Sequence, residues 1–196
     1  MLKRPLILFS GGLDSSYLLG QELLRTDVDI MYVIGPQSKI KAQAELRAAS
    51  AIIDWYFRNR PHVVINRYVH TQHDRLVPTG AVHGEIFAWF CAAMLVADAD
   101  IHDSVELAYV ADDINVPCLD NLITAWDNLV IALKPGKIPL KFPLRGITKQ
   151  TLIRECDPEI FNLTWVCEEP LNTSVQCGEC TPCLKRHFDL LEFNAS

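Results

Sequence analysis

Positive charge is in short supply in this chain. Its 18 lysines and arginines are outnumbered by 24 aspartates and glutamates, for a formal net charge of −6. A protein that grips tRNA or DNA by its phosphates needs a basic face, so nucleic acid is not an expected partner. Long apolar runs are missing too. The longest uncharged apolar stretch is Ile86–Ala97, well short of the ~20 residues that a membrane-spanning helix needs. No membrane partner is therefore expected. Leu2–Phe9 is too short for a signal peptide and runs into a glycine turn, so a cytoplasmic protein is expected. No internal repeat or low-complexity tract interrupts the chain. Its 7 cysteines are an odd number crowded toward one end, unlike the spread pairs of a disulfide-stapled secreted scaffold. Two widespread phosphate loops, Gly-x-x-x-x-Gly-Lys-Ser/Thr and Gly-x-Gly-x-x-Gly, are absent from the first turn of the chain.

What is present is alternation. A chain of 196 residues that is 49% apolar suits one domain with a sizeable core. Apolar runs predict strands at Pro5–Phe9, Asp29–Ile34, His62–Tyr68, Val105–Val110 and, in a short piece, Lys141–Leu144. Helices are expected at Ser15–Arg25, Ala42–Phe57, Glu85–Ala97 and Leu119–Leu133, and from Thr148 onward, where the threonine can cap the first turn. Ala42, Leu46, Ala49, Ile53 and Tyr56 recur at intervals of four and three, which draws one helix face. Leu119, Leu122, Ile123, Trp126, Leu129, Val130 and Leu133 draw another. The helix at Glu85–Ala97 is apolar nearly all round and should be central. This order predicts an α/β fold, a Rossmann-like parallel sheet covered on both faces. Ligand then binds at the carboxyl ends of the strands, near a topological switch point.

The stretch Phe9-Ser10-Gly11-Gly12-Leu13-Asp14-Ser15-Ser16 falls at such an end. Strand, glycine turn and helix start together make an anion site. Backbone N–H groups converge there, and the helix dipole adds its positive end. Gly11 and Gly12 permit close backbone approach and positive φ. Ser10 and Ser15 add hydroxyl donors. Asp14 makes sense beside a phosphate as a Mg²⁺ ligand or as an orienter of the loop. The plainer alternative is a strand–turn–helix whose serines only cap the helix.

The second concentration of chemistry is Cys167, Cys177, Cys180 and Cys183. Four thiolates suit a tetrahedral, borderline-soft Zn²⁺ ion in a structural role. Thr181 and Pro182 then open a helix running to about Glu192. An iron–sulfur cluster, or a redox or sulfur-carrying pair among Cys177, Cys180 and Cys183, uses the same residues. Cys91 reads as a buried small hydrophobe, and Cys118 and Cys156 have no evident partner.

The loop resembles the Ser-Gly-Gly-x-Asp-Ser loop of the N-type ATP pyrophosphatases, the PP-loop family. With the cysteine tail, the chain resembles that family's 7-cyano-7-deazaguanine synthase (QueC) branch. The match rests on Phe9–Ser15, Cys167 with Cys177-Gly178-Glu179-Cys180-Thr181-Pro182-Cys183, and Arg186. Gly35-Pro36-Gln37 stands where the family has a Tyr-Gly-Gln turn, and Pro143-Leu144 followed by Lys149 matches a late Pro-Leu…Lys stretch. The resemblance implies an adenine nucleotide alpha hydrolase-like domain at 1–160 and a zinc-binding, helical C-terminal subregion at 161–196 packed on it. It implies ATP as substrate, Mg²⁺, and a reaction in which 7-carboxy-7-deazaguanine and ammonia yield the nitrile through a carboxylate adenylate. Apolar surface on the helices and a metal-bound tail, rather than the resemblance, lead to the expectation of a homodimer. Lys149 is then a candidate for phosphate charge stabilisation, or else a solvated residue in a helix's first turn. Asp112 and Asp113, after the fourth strand, hold Mg²⁺ or the substrate's base, or make a polar turn. The chain departs from the family at Val82-His83-Gly84-Glu85, where an arginine is missing, and in a shorter loop after the fourth strand. His83 and Glu85 stand where those contacts would be, while His70 and His73 read as solvated loop residues. A ligase acting on another carboxylate, a PP-loop sulfurtransferase and a non-catalytic nucleotide-binding relative are the competing readings.

Overall fold

A computed structural model describes residues 2–34, 38–71 and 84–195. Among them, strands β1 (Arg4–Leu8), β2 (Val28–Ile34), β3 (Ile65–Thr71), β4 (His102–Glu106) and β5 (Leu140–Lys141) form one sheet in the order β3-β2-β1-β4-β5. Every pairing is parallel. β1 lies in the middle, with Ile7 opposite Ile30 of β2 and Glu106 of β4. The chain winds one way from β1 through β2 to β3 and the other way through β4 to β5. The reversal falls between β1 and β4, where such sheets open a crevice.

The helices are α1 (Leu13–Glu22), α2 (Lys39–Asn59), α3 (Gly84–Val96), α4 (Leu119–Leu133), α5 (Lys149–Glu155), α6 (Pro158–Leu163) and α7 (Thr181–Ala195). The period-two alternation of β1 sends Ile7 to one face and Leu6 and Leu8 to the other. Ile7 and Phe9 pack with Leu18 and Leu19 of α1, Ile52 and Ile53 of α2, Leu152 of α5 and Ile160 of α6. Leu6 and Leu8 pack with Phe90 and Ala93 of α3 and Trp126 and Val130 of α4. Both faces are therefore covered, as a parallel sheet requires.

Several expectations shift in detail. β3 starts three residues late, because Pro61 and His62 sit in a turn closed by Val63 N–H donating to the Arg60 carbonyl. β4 starts three residues early. Its pairing runs through His102 and Ser104, which are polar and yet buried. β5 is only two residues long, since Pro143 cannot donate to a ladder and Arg145 N–H turns back to the Phe142 carbonyl. α4 has the expected bounds, but Leu129 and Leu133 fall off the buried stripe at 42% and 64% exposure. Cys91 is only half-buried. α6 has no counterpart among the expected helices. Asp157 caps it by accepting from the N–H groups of Glu159 and Ile160, and Pro158 occupies its first turn. Residues 35–37, His73 and His83 lie outside the described residues, as do the side chains of His70 and Glu85.

Candidate functional site

The loop between β1 and α1 is a nest of short polar contacts. Ser10 N–H donates to Ser15 Oγ (3.3 Å), Gly12 N–H to Ser10 Oγ (3.2 Å), and Ser16 Oγ to the Gly12 carbonyl (2.7 Å). Gly12 caps α1 with no side-chain hydrogen bond, so the helix's positive end is left for a ligand or solvent. Gly11 has φ +76, and a Cβ there would lie 2.9 Å from the Ala49 nitrogen of α2. No larger residue fits. Phe9 and Leu13 put their side chains into the core, and Ser16 is fully buried. These three offer a ligand only backbone, whereas Ser10, Gly12, Asp14 and Ser15 line an open cleft of about 240 Å³.

The far wall of the cleft comes from Trp89 of α3 and from Ala108, Tyr109, Asp113 and Asn115, which follow β4. Burial pushes the Asp14 carboxyl above its ordinary range, opposed by its ion pair with Lys149 and assisted by Asp113 and Asp112. Lys149 reaches Asp14 from the first residue of α5, which is fixed by the Thr148 cap. The neighbouring aspartates separate. Asp113 faces the cleft and accepts from Asn115 N–H (2.8 Å), while Asp112 is exposed and accepts from Lys149 N–H (3.0 Å) at the start of α5. Trp89, Tyr109 and Asn115 were not singled out from the sequence. The polar stretch after β4 was its only signal, and neither aromatic carries a motif.

The four cysteines come together at the other side of the loop. All four Sγ atoms of Cys167, Cys177, Cys180 and Cys183 lie within 4.8 Å of one another. Tetrahedral zinc with ~2.3 Å bonds needs sulfur–sulfur edges of about 3.8 Å, so the donor set fits that ion. Gly178, at φ +79, makes the turn. Cys177 N–H points at Cys167 Sγ (3.2 Å) and Cys180 N–H at Cys177 Sγ (3.3 Å). Burial raises the Cys167 thiol and pushes Cys183 up to about 12. Cys180 is brought down to about 6: burial opposes this, but the backbone N–H groups of Glu168 and Cys183 and the neighbouring thiols outweigh it. Arg186 of α7 donates to the Thr164 carbonyl and Oγ1 (3.2 and 2.9 Å) and to the Phe161 carbonyl (2.8 Å), with its guanidinium over the Phe161 ring.

No family model and no curated protein matches this sequence. Solved structures do. The U34-tRNA thiolase NcsA from Methanococcus maripaludis, solved with its [4Fe-4S] cluster, aligns with a TM-score of 0.51 at 15% identity. The alignment covers 98% of this chain and 65% of that one, so this chain spans less than two thirds of that protein's length. A predicted subunit of tRNA methyltransferase from Methanocaldococcus jannaschii aligns at 18% identity and a TM-score of 0.48, over 78% of this chain and 73% of that one. At such identities the likeness is one of fold. The parallel α/β architecture expected from the sequence is the one this chain shares with NcsA.

Proposed function

We propose that the chain is a PP-loop ATP-dependent enzyme that activates a small carboxylate as its adenylate, of the kind that turns 7-carboxy-7-deazaguanine and ammonia into the nitrile. The observation that carries this reading is the meeting of Asp14, Lys149 and Asp113 around an uncapped helix start, at the switch point of a parallel sheet. Phosphates are anions, and the first turn of α1 offers them N–H groups and a dipole. Asp14 and Asp113 are the residues to hold Mg²⁺. Burial disfavours the ionised form of Asp14, and a bound cation would favour it again. Bound Mg²⁺ would supply charge neutralisation on the phosphates. Lys149 holds a second positive charge at the same place.

A carboxylate is a poor electrophile. Its oxygen attacks the α-phosphorus, pyrophosphate leaves, and the acyl adenylate that results has AMP as a good leaving group. Ammonia displaces AMP to give the amide. A second adenylation on the amide oxygen lets AMP carry that oxygen away, with loss of two protons, to leave the nitrile. The chain's own task is alignment and charge placement. The cleft between the loop and Trp89, Tyr109 and Asn115 is where the acid would lie. At the tetrad we propose structural Zn²⁺, because four thiolates leave no open coordination position.

Pyrophosphate release from ATP is the test. Release should require the deazaguanine carboxylate, and Asp14→Asn or Lys149→Met should each lower it by about 10²- to 10³-fold, the size of a lost charge-stabilising contact. Release that demands RNA and a sulfur donor would establish the sulfurtransferase instead. That second reading draws on the lowered Cys180 thiol and the fold shared with NcsA, and iron with labile sulfide in the purified chain would support it.

A further inference from the structure

The segment Thr164–Cys167 lies between the two candidate sites and touches both. Trp165 N–H donates to the Gly11 carbonyl at 3.0 Å. Trp165 Nε1–H donates to the carbonyl of Cys167, also at 3.0 Å, and Cys167 is one of the four thiol ligands. The segment is held from the tail side as well. Val166 N–H donates to Gln176 Oε1 (3.3 Å), next to Cys177, and Arg186, three residues past Cys183, holds Thr164. Two residues of α2 fasten the stretch between: Lys41 pairs with Glu168, and Arg47 donates to the Thr173 carbonyl and to Ser174. The same helix backs Gly11 through Ala49.

The Gly11–Gly12 peptide is planar and trans, so its C=O and N–H point in opposite directions. Anchoring the Gly11 carbonyl on Trp165 therefore turns the Gly12 N–H away from the tail, where it meets Ser10 Oγ at 3.2 Å on the cleft side. Glycine on both sides of this peptide makes a flip sterically cheap. Without the Trp165 anchor, the carbonyl can take the inward place, and a carbonyl oxygen repels a phosphate.

We propose that Trp165 is a positioning residue that ties the thiolate site to the anion loop, so that metal held by the four cysteines sets the orientation of the Gly11–Gly12 peptide. The consequence for nucleotide affinity rests on the function proposed above, whereas the structural linkage does not. Linkage is reciprocal: whatever factor metal adds to nucleotide affinity, nucleotide adds to metal affinity.

Amide hydrogen exchange on the full chain, zinc-loaded and then chelator-stripped, tests it. The amides of Trp165 and of residues 11–13 should exchange at least about tenfold faster after stripping, while β1 and β2 keep their protection. Trp165→Phe, which loses the indole donor to Cys167, should retain one zinc per chain and show raised exchange in the loop even when loaded. Unchanged loop exchange on stripping would overturn the proposal. So would a uniform rise across the sheet, which would mean the metal holds the whole fold rather than this contact. In a parallel measurement, ATP should raise zinc affinity, read by equilibrium competition with the chelator, by about 5- to 150-fold, the usual range of coupling between two sites. A chain that binds no ATP in either state defeats the functional reading, and the exchange data still decide the linkage. ATP binding that is equal in both states defeats the linkage and leaves the functional reading standing.

Discussion

Asp29 is the residue whose role is least visible in the sequence. It is the second residue of the otherwise apolar β2 and is fully buried, yet it is surrounded by donors. Arg4 pairs with it, Asn66 Nδ2 donates at 2.8 Å, and the Tyr68 hydroxyl lies at 3.2 Å. His102 Nδ1 accepts the Asp98 N–H, which leaves Nε2–H to donate to Asp29 (3.1 Å). Burial alone would raise the Asp29 carboxyl; the hydrogen bonds from Asn66, Arg4 and His102 bring it below its ordinary value of 3.8. A lowered carboxylate contributes stability that is present above its unfolded value and is lost as pH falls through the folded one. Urea unfolding at pH 6 and near pH 3 should show that loss in the native chain and a flatter profile in Asp29→Asn. Asp29→Ala, which strands Arg4, should cost about 3–5 kcal/mol at neutral pH, the usual penalty for breaking a buried ion pair. Gly11 was legible, by contrast, because its neighbours spell a turn. Gly11→Ala should lose at least ~1–2 kcal/mol from the left-handed backbone alone, and more from the contact with Ala49. Thermal melts of the variant would measure both together.

At the scale of elements, the sequence is most readable where side-chain chemistry and local structure agree. Thr148 is an example: its hydroxyl accepts from Thr151 N–H, and α5 starts at the next residue. Thr148→Ala should lower stability by about 1 kcal/mol, as for other cap removals. It should also reduce turnover, because Lys149 loses the fixed start that aims it at Asp14. Comparing the denaturation midpoint with the rate of pyrophosphate release would separate the two effects. β4 begins ahead of its apolar peak for a physical reason. Apolar content peaks at Val105–Val110, but parallel pairing to β1 begins at His102, with Ser104 and Glu106 turned into the helix-covered interior. Buried polar strand residues erase the pattern on which strand prediction depends. The contact between Trp165 and Gly11 was illegible for another reason. It joins backbone groups far apart in the chain, and backbone groups are the same in every sequence.

For the molecule as a whole, the tail is the part whose stability rests least on apolar packing. Leu171, Val175, Leu184 and Phe188 are exposed. Structural zinc contributes about 10–16 kcal/mol in finger peptides, against ~5–15 kcal/mol for an entire domain. With the proposed Zn²⁺ held by the tetrad, chelation, or Cys167→Ser, should therefore unravel residues beyond 166 and lower the melting temperature, which calorimetry with and without chelator would record. The two rims of the sheet also differ. β5 offers two residues between Pro139 and Pro143, too little for a foreign strand to pair with. β3, the outermost strand on the other side among the described residues, runs for seven residues and leaves Val69 59% exposed. Among the described residues, any strand addition would therefore be steered to the β3 side. A strand added at β3 would lengthen the sheet from that side alone, because the proline-flanked β5 rim would offer no second edge for growth to continue.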